Sequence, residues 1–158
     1  MSASGLVTVG WREWVGLPEL GLPAVRCKVD TGASTSALHA RRVERYAEGG
    51  APWVRFEARP FFRRGARVEV ACAAPVVDER EIRSSNGADS RRVVVGVTLR
   101  LGVAADAPEW PVELTLADRG RMQFPMLLGR EAMRGRVAVD PARSFLLGRV
   151  EDAAALYG

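Results

Sequence analysis

The chain has 158 residues, 47% of them hydrophobic and 27% charged, and carries a formal net charge of +4. That balance excludes a disordered polyelectrolyte and fits one globular domain long enough to bury a core without staples. Of the 23 basic side chains only Lys28 is a lysine; no G-x-x-x-x-G-K-[ST] surrounds it, which excludes P-loop nucleotide chemistry.

Period-two alternation dominates from the start. Leu6 to Val9 reads as a strand that Trp11 to Val15 continues, with a turn at Gly16-Leu17-Pro18. Ala24 to Val29 is a short apolar strand ending at Asp30. Thr31 to Ser34 is a turn cluster, and Ser36 to Ala40 resumes extended structure. Arg41 to Glu48 is expected to make one or two helical turns stopped by Gly49-Gly50. Trp53 to Ala58 and Arg67 to Cys72 alternate as half-buried strands, separated by a loop at Phe61 to Gly65. The charge-dense Pro75 to Gly87 reads either as a solvated loop or as a binding element, with an Asn86-Gly87 turn signal. Arg92 to Leu101, Trp110 to Leu116 and Phe124 to Leu128 are further strands, and Gly129 to Met133 is a short helix. Arg136 to Val139 and Ser144 to Leu147 are the last strands. Glu151 to Gly158 is a frayed tail or a short helix. The class is therefore all-β, a barrel or sandwich with one or two short helices.

Other bulk features narrow the setting. The longest apolar run, Val70 to Val77, is broken by Pro75 and is far below the ~20 residues of a bilayer span. The first residues lack the basic and apolar regions of a signal peptide. Cys27 and Cys72 do not make a disulfide framework, and free buried thiols fit a reducing compartment. A cytoplasmic location without a membrane partner is the expectation. The Arg41-Arg42, Arg63-Arg64 and Arg91-Arg92 pairs are scattered rather than set in one stripe. No zinc-finger or RNA-binding signature accompanies them, so no nucleic-acid partner is expected. One histidine, His39, and two cysteines are thin material for a zinc site, which usually takes three protein ligands and an open position. No metal or other cofactor is assigned.

The sharpest local feature is Val29-Asp30-Thr31-Gly32-Ala33-Ser34. An Asp at a strand end followed by a hydroxyl residue and Gly sets a carboxylate on a tight turn, where nearby backbone N–H groups can hold it. The same residues also suit an ordinary Asx turn. Phe124-Pro125-Met126-Leu127-Leu128-Gly129-Arg130 is a second landmark, an apolar strand running into Gly-Arg and a short helix.

Together, these two segments resemble the retropepsin-like aspartic peptidases. The match extends to V-G-W-R-E-W-V near the N-terminus, V-D-T-G-A-x-T-S-A-L-H-A, W-V-R-F, A-P-V-V-D-E-R-x-I-R-x-S-N-G and F-P-M-L-L-G-R-x-A-M. Over residues 6–147 the chain is similar to a bacterial family traditionally called ATP-dependent zinc proteases, the RimK-associated, RimB-type retropepsin-like proteins. The resemblance implies a closed retropepsin-like barrel with a flap insertion, a peptidase domain over 1–150 and a tail over 151–158. It implies an aspartic endopeptidase in which Asp30 activates water together with a second Asp. A single Asp-Thr-Gly-Ala per chain implies a homodimer. Thr31 would lie beneath the dyad, and Gly32 would offer its backbone to substrate. Ala33, Ser34, Asp78, Glu79, Arg80 and Arg130 would bind substrate.

Retropepsins often carry Asp where Ser34 stands, paired to the Arg of the Gly-Arg segment. Arg130 is thus expected to take another carboxylate, such as one on the substrate. Ala33 replaces the Ser that pepsin-type sites have after Asp-Thr-Gly, which implies an optimum nearer neutral pH. The association with RimK-type ATP-grasp ligases suggests a peptide or protein substrate with an acidic, glutamate-extended tail. Two rivals stand beside this reading: a non-catalytic peptide-binding module on the same barrel, and a zinc-dependent hydrolase.

Overall fold

A computed structural model describes residues 5–62, 68–83, 89–118 and 123–158. Its strands are β1 (Val7–Val9), β2 (Arg12–Leu17), β3 (Leu22–Val29), β4 (Ser36–His39), β5 (Arg41–Glu48), β6 (Ala51–Ala58), β7 (Val70–Arg83), β8 (Asp89–Arg100), β9 (Glu109–Ala117), β10 (Met126–Leu128) and β11 (Val137–Val139). One helical turn, α1 (Arg130–Met133), follows β10, and 3-10 turns cover Pro18–Leu20 and Ala153–Tyr157. The all-β expectation holds.

The main sheet runs β2-β3-β10-β4-β9-β8 and closes on itself through Gly16 opposite Arg100, giving a six-strand barrel. Closure removes the free edges that an open sheet would expose. An antiparallel arm, β7-β6-β5, continues outward from β8. A separate parallel ribbon pairs β1 with β11, Val7 opposite Val137.

Alternation explains the barrel. In β9, Trp110, Val112, Leu114 and Leu116 point inward, while Glu109, Pro111 and Glu113 face out. Val95, Val97 and Leu99 of β8 meet them, and Val15, Leu17, Cys27, Val29, Leu38, Met126 and Leu128 fill the remaining interior. A fully buried Leu or Val of this kind stabilises the fold by ~1.5–3 kcal/mol.

A buried carboxylate ties the barrel's start to its end. Glu13 is fully buried. It accepts the Gly10 N–H at 2.7 Å, the Leu146 N–H at 2.8 Å and the Leu147 N–H at 3.1 Å. Gly10 is obligatory here because a Cβ would stand 2.2 Å from the Arg143 carbonyl oxygen. Residues 144–147, expected as a strand, are instead irregular. Their N–H groups are taken by Glu13 and, for Phe145, by the Arg12 carbonyl, so no strand ladder forms.

Two further expectations change, and a third is decided between its alternatives. Arg41 to Glu48 is strand β5, not helix: Gly49 and Gly50 take φ of 57° and 82° and turn the chain into a hairpin, Glu48 opposite Ala51 and Tyr46 opposite Trp53. Two consecutive positive-φ glycines make the primed turn that matches strand twist, and they outweigh a weakly patterned helix. The 75–83 stretch is the second half of one long strand rather than a loop. β7 pairs with β6 up to Pro75 and with β8 from Val76 onward, so the proline, which lacks an N–H, sits where the strand changes partner. Of the two readings for 151–158, the short helix is seen: Ala153 and Tyr157 pack on Trp14, Ala24 and Phe61, and the Tyr157 hydroxyl donates to the Ala24 carbonyl at 2.5 Å. The Ser84-Gly87 turn signal and the Arg63-Arg64 pair lie outside the described residues.

Candidate functional site

The Asp30 turn is positioned by the barrel. Strand β10 lies parallel to β3 with Leu128 opposite Val29, and the Asp30 N–H donates to the Leu128 carbonyl at 2.9 Å. The chain then reverses: the Ala33 N–H donates to the Asp30 carbonyl at 3.2 Å, and the Gly32 N–H to Asp30 Oδ1 at 2.9 Å. The carboxylate is therefore held by the turn's own backbone, at the end of a strand whose interior side is fully packed. Thr31 and Gly32 at the tip are exposed, while Asp30 is half-buried.

The second landmark locks onto the first. Ala33 and Ser34 offer their carbonyls to the first N–H groups of α1, those of Arg130 and Glu131, at 2.8 and 3.0 Å. These are the donors a helix start leaves without intrahelical partners. The Gly129 N–H donates to Ser36 Oγ at 3.0 Å, and a Cβ on Gly129 would lie 2.5 Å from the Thr35 carbonyl. Only glycine allows the two backbones to approach so closely. The Arg130 guanidinium donates through Nη1 to the Thr31 carbonyl at 3.0 Å. With Ser at position 34, the arginine holds the turn by its backbone. This contact is absent from any local pattern, because it joins residues 99 positions apart.

The residues expected from the flap divide between two places. Arg80 lines a groove of about 520 Å³ with Val77, Thr98, Trp110 and Glu113, and with Thr35 and Ser36 just beyond the Asp30 turn. Its Nη2 donates to Glu113 at 2.6 Å and its Nε to Asp78 at 3.1 Å. Asp78 also accepts the Glu79 N–H at 2.8 Å, and that bond, with the Arg80 contact, holds its carboxyl below the usual range. Glu79 turns the other way, pairing with Arg45 and, at 3.1 Å, with Arg91. Asp78 and Glu79 border a separate hollow beside Tyr46 and Trp53. So Arg80 shares a groove with residues after the turn, and Asp78 and Glu79 do not line it. Glu113, Glu19 and Glu131 in that groove were not foreseen, although the period-two alternation of β9 already pointed Glu113 outward.

The would-be metal ligands are not gathered into a cluster. Cys27 and Cys72 are buried in the core, and burial raises the Cys72 thiol pKa to about 12. His39 is buried, its Nδ1 3.6 Å from Asp118 and its ring edge-on to Phe62. Among the described residues no three His, Cys, Asp or Glu side chains are placed to hold a metal ion. Among the described residues no helix is long and apolar enough to cross a membrane.

A closed six-strand barrel whose Asp-Thr-Gly-Ala turn is latched by a Gly-Arg helix start defines a retropepsin-like protein. The chain belongs to the RimB-like family of retropepsin-like aspartic endopeptidases, whose sequence profile matches residues 8–149. It is 43% identical over 152 residues to a probable alpha-L-glutamate ligase of Shewanella pealeana, covering 95% of this chain and 32% of that protein. Similarly named proteins of Desulfotalea psychrophila (43% over 142 residues, 90% of this chain and 30% of the relative) and Parasynechococcus marenigrum (42% over 153 residues, 96% and 32%) also match. The chain thus spans about a third of the length of these curated relatives. The crystal structure of a Legionella pneumophila protein of unknown function superposes with a TM-score of 0.73 at 27% identity, covering 89% of this chain and 98% of that one.

Proposed function

We propose that the chain is an aspartic-type endopeptidase that completes its site as a homodimer and cuts glutamate-rich protein tails. The observation that carries this reading is the Asp30 carboxylate, fixed through Oδ1 by the Gly32 N–H at an exposed turn tip that α1 and Arg130 brace from behind. Two such carboxylates about 3 Å apart cannot both ionise and share one proton. The ionised Asp30 takes a proton from water, which attacks the scissile carbonyl, and the protonated Asp30 of the second copy stabilises the oxyanion; the intermediate then collapses, the C–N bond breaks, and the proton taken from water passes to the leaving amine. One chain supplies one Asp-Thr-Gly turn. Thr31 shares a hollow of about 260 Å³ with Arg130, Met133, Val137 and Val139, and this partly apolar surface beside the turn supports docking of a second copy there. Thr31 and Gly32 then belong to the catalytic turn. Ala33, Ser34, Arg80 and Arg130 flank the substrate path, with Asp78 holding Arg80.

The acidic substrate is supported by relatives named as glutamate ligases, in which a region like this chain occupies about a third of one polypeptide. A RimK-type ligase that builds glutamate tails is a natural partner for a peptidase that shortens them. The Asx-type bond from Gly32 to Asp30 also suits a non-catalytic peptide-binding module, which predicts a strict monomer.

The test is Asp30→Asn assayed by mass spectrometry on a glutamate-extended peptide, with and without a chelator, alongside mass in solution. The expected outcome is a dimer whose cleavage rate falls on the order of 10²–10⁴-fold in the variant and is indifferent to chelation. A monomeric wild type that cleaves nothing favours the binding module. Cleavage lost to the chelator but retained by Asp30→Asn supports zinc chemistry.

A further inference from the structure

Outside the Asp30 turn, three guanidinium groups converge on one ring. The Arg12, Arg149 and Arg26 guanidinium carbons stand 4.9, 5.1 and 6.0 Å from the centre of Phe145. They border, with Trp14, Val150 and Glu151, a hollow of about 320 Å³ on the outer face of β2 and β3. Among the described residues no Asp or Glu forms an ion pair with any of the three. Arg26 Nε is buried with no hydrogen-bond partner among the described residues. Burial, and then the neighbouring Arg12 charge, push the Arg26 pKa down.

The arrangement works against folding in two ways. Arg12 lies directly opposite Lys28 in the β2–β3 pair, with Arg26 on the same face of β3 as Lys28, and like charges placed so are destabilising. Phe145 also holds a φ of +55°, a strained conformation for a bulky side chain, and this places its ring among the three cations. Cation–π contact compensates part of the crowding. An anion in the hollow would relieve the rest. Planar guanidinium forks match carboxylates two bonds at a time, and the Trp14 and Phe145 walls suit the methylene stem of a glutamate side chain.

We propose that the Arg12–Arg26–Arg149 hollow is an anchoring site for the carboxylates of a glutamate-rich peptide, distinct from the Asp30 turn. Arg26 lies four residues before Asp30 on β3, about 13 Å of strand at roughly 3.3 Å per residue. With Lys28 exposed between them, a chain of about four glutamates spans the interval at ~3.3–3.6 Å per residue. The site rests on the acidic-substrate reading but not on catalysis.

The test uses the Asp30→Asn chain and calorimetric titration with an eight-residue glutamate peptide. Arg26→Gln and Arg149→Gln are each expected to weaken binding at least fivefold, while Arg41→Gln on β5 changes it less than twofold. Arg149 is exposed, so its variant folds even if Arg26→Gln does not. Equal losses in all three variants would show diffuse attraction and overturn the site, as would unchanged affinity in Arg149→Gln. Tighter binding of a single-stranded oligonucleotide of equal charge, with the same arginine dependence, would overturn the carboxylate assignment. On the active chain, Arg149→Gln should raise KM for the octapeptide about fivefold and leave kcat unchanged. If the wild type binds this peptide through the hollow but cuts nothing, the peptidase reading fails and the anchoring site stands. If it cuts normally and Arg149→Gln leaves KM unchanged, the anchoring site fails alone.

Discussion

The Asp30 region of the barrel and the β5–β7 arm are built on different physics. Around Asp30 the chain is held by backbone: strand pairing from β10, helix-start N–H groups on Ala33 and Ser34, and Gly129 pressed against Thr35. The Glu13 carboxylate adds three more backbone bonds nearby. On the β5–β7 arm the strands are paired, but β5 is exposed along most of its length, and side-chain ion pairs such as Glu79 with Arg45 and Arg91 decorate its surface. Buried backbone bonds have no substitute when lost, whereas exposed ion pairs are replaced by water. In the proposed peptidase, the backbone-held turn would supply fixed chemistry and the exposed arm an adaptable wall.

The contrast can be broken or sharpened by substitution. The largest effect is expected from Glu13→Ala, which strands three N–H groups and should cost roughly 3–9 kcal/mol at about 1–3 kcal/mol per unsatisfied group, read from urea unfolding. Gly129→Ala comes next. Its Cβ cannot fit against Thr35 without moving the turn, so a loss of about 2–3 kcal/mol is expected, together with reduced peptide cleavage.

Alkaline pH should act next. Burial raises Cys72 from 9.0 and Tyr157 from 10.0, each to about 12, so both prefer to stay protonated in the folded chain. Their stabilisation is complete below the unfolded values and declines as pH rises from about 9 to 12. Thermal melts across that window should fall, and Tyr157→Phe should flatten the portion above pH 10. A wild-type melting profile flat from pH 8 to 12 would contradict this. The smallest effect is on the arm: Glu79→Gln should cost no more than about 1 kcal/mol and lose its effect in high salt. A larger loss would mean the arm is held more like the barrel than its exposure suggests.

Much of the barrel was legible because period-two alternation is local. β6, β8, β9 and the short helix after Gly129 fall where alternation and turn residues put them. β5 was misread because a glycine pair serves equally as a helix stop and as a hairpin turn, and only the partner strand distinguishes them. Residues 144–147 were misread because the Leu146 and Leu147 N–H groups bond to a side chain more than 130 positions away, and the Phe145 N–H to the Arg12 carbonyl. At the candidate site, Asp30, Thr31 and Gly32 were readable as a tight turn, and it was their pairing with the Gly129-Arg130 landmark that carried the family resemblance. The role of Arg130 as a brace on the Thr31 carbonyl was not readable, nor was the split of Asp78, Glu79 and Arg80 between two hollows.

What the sequence determined alone was therefore everything that depends on neighbours along the chain: alternation, the Asp-Thr-Gly-Ala turn, and the apolar run into Gly-Arg. Closure of the barrel, the burial of Glu13, the latch between Gly129 and Thr35, and the gathering of three arginines around Phe145 were decided only by tertiary structure. Each joins residues far apart in sequence, and such contacts exist only after the chain has met the entropy of bringing them together.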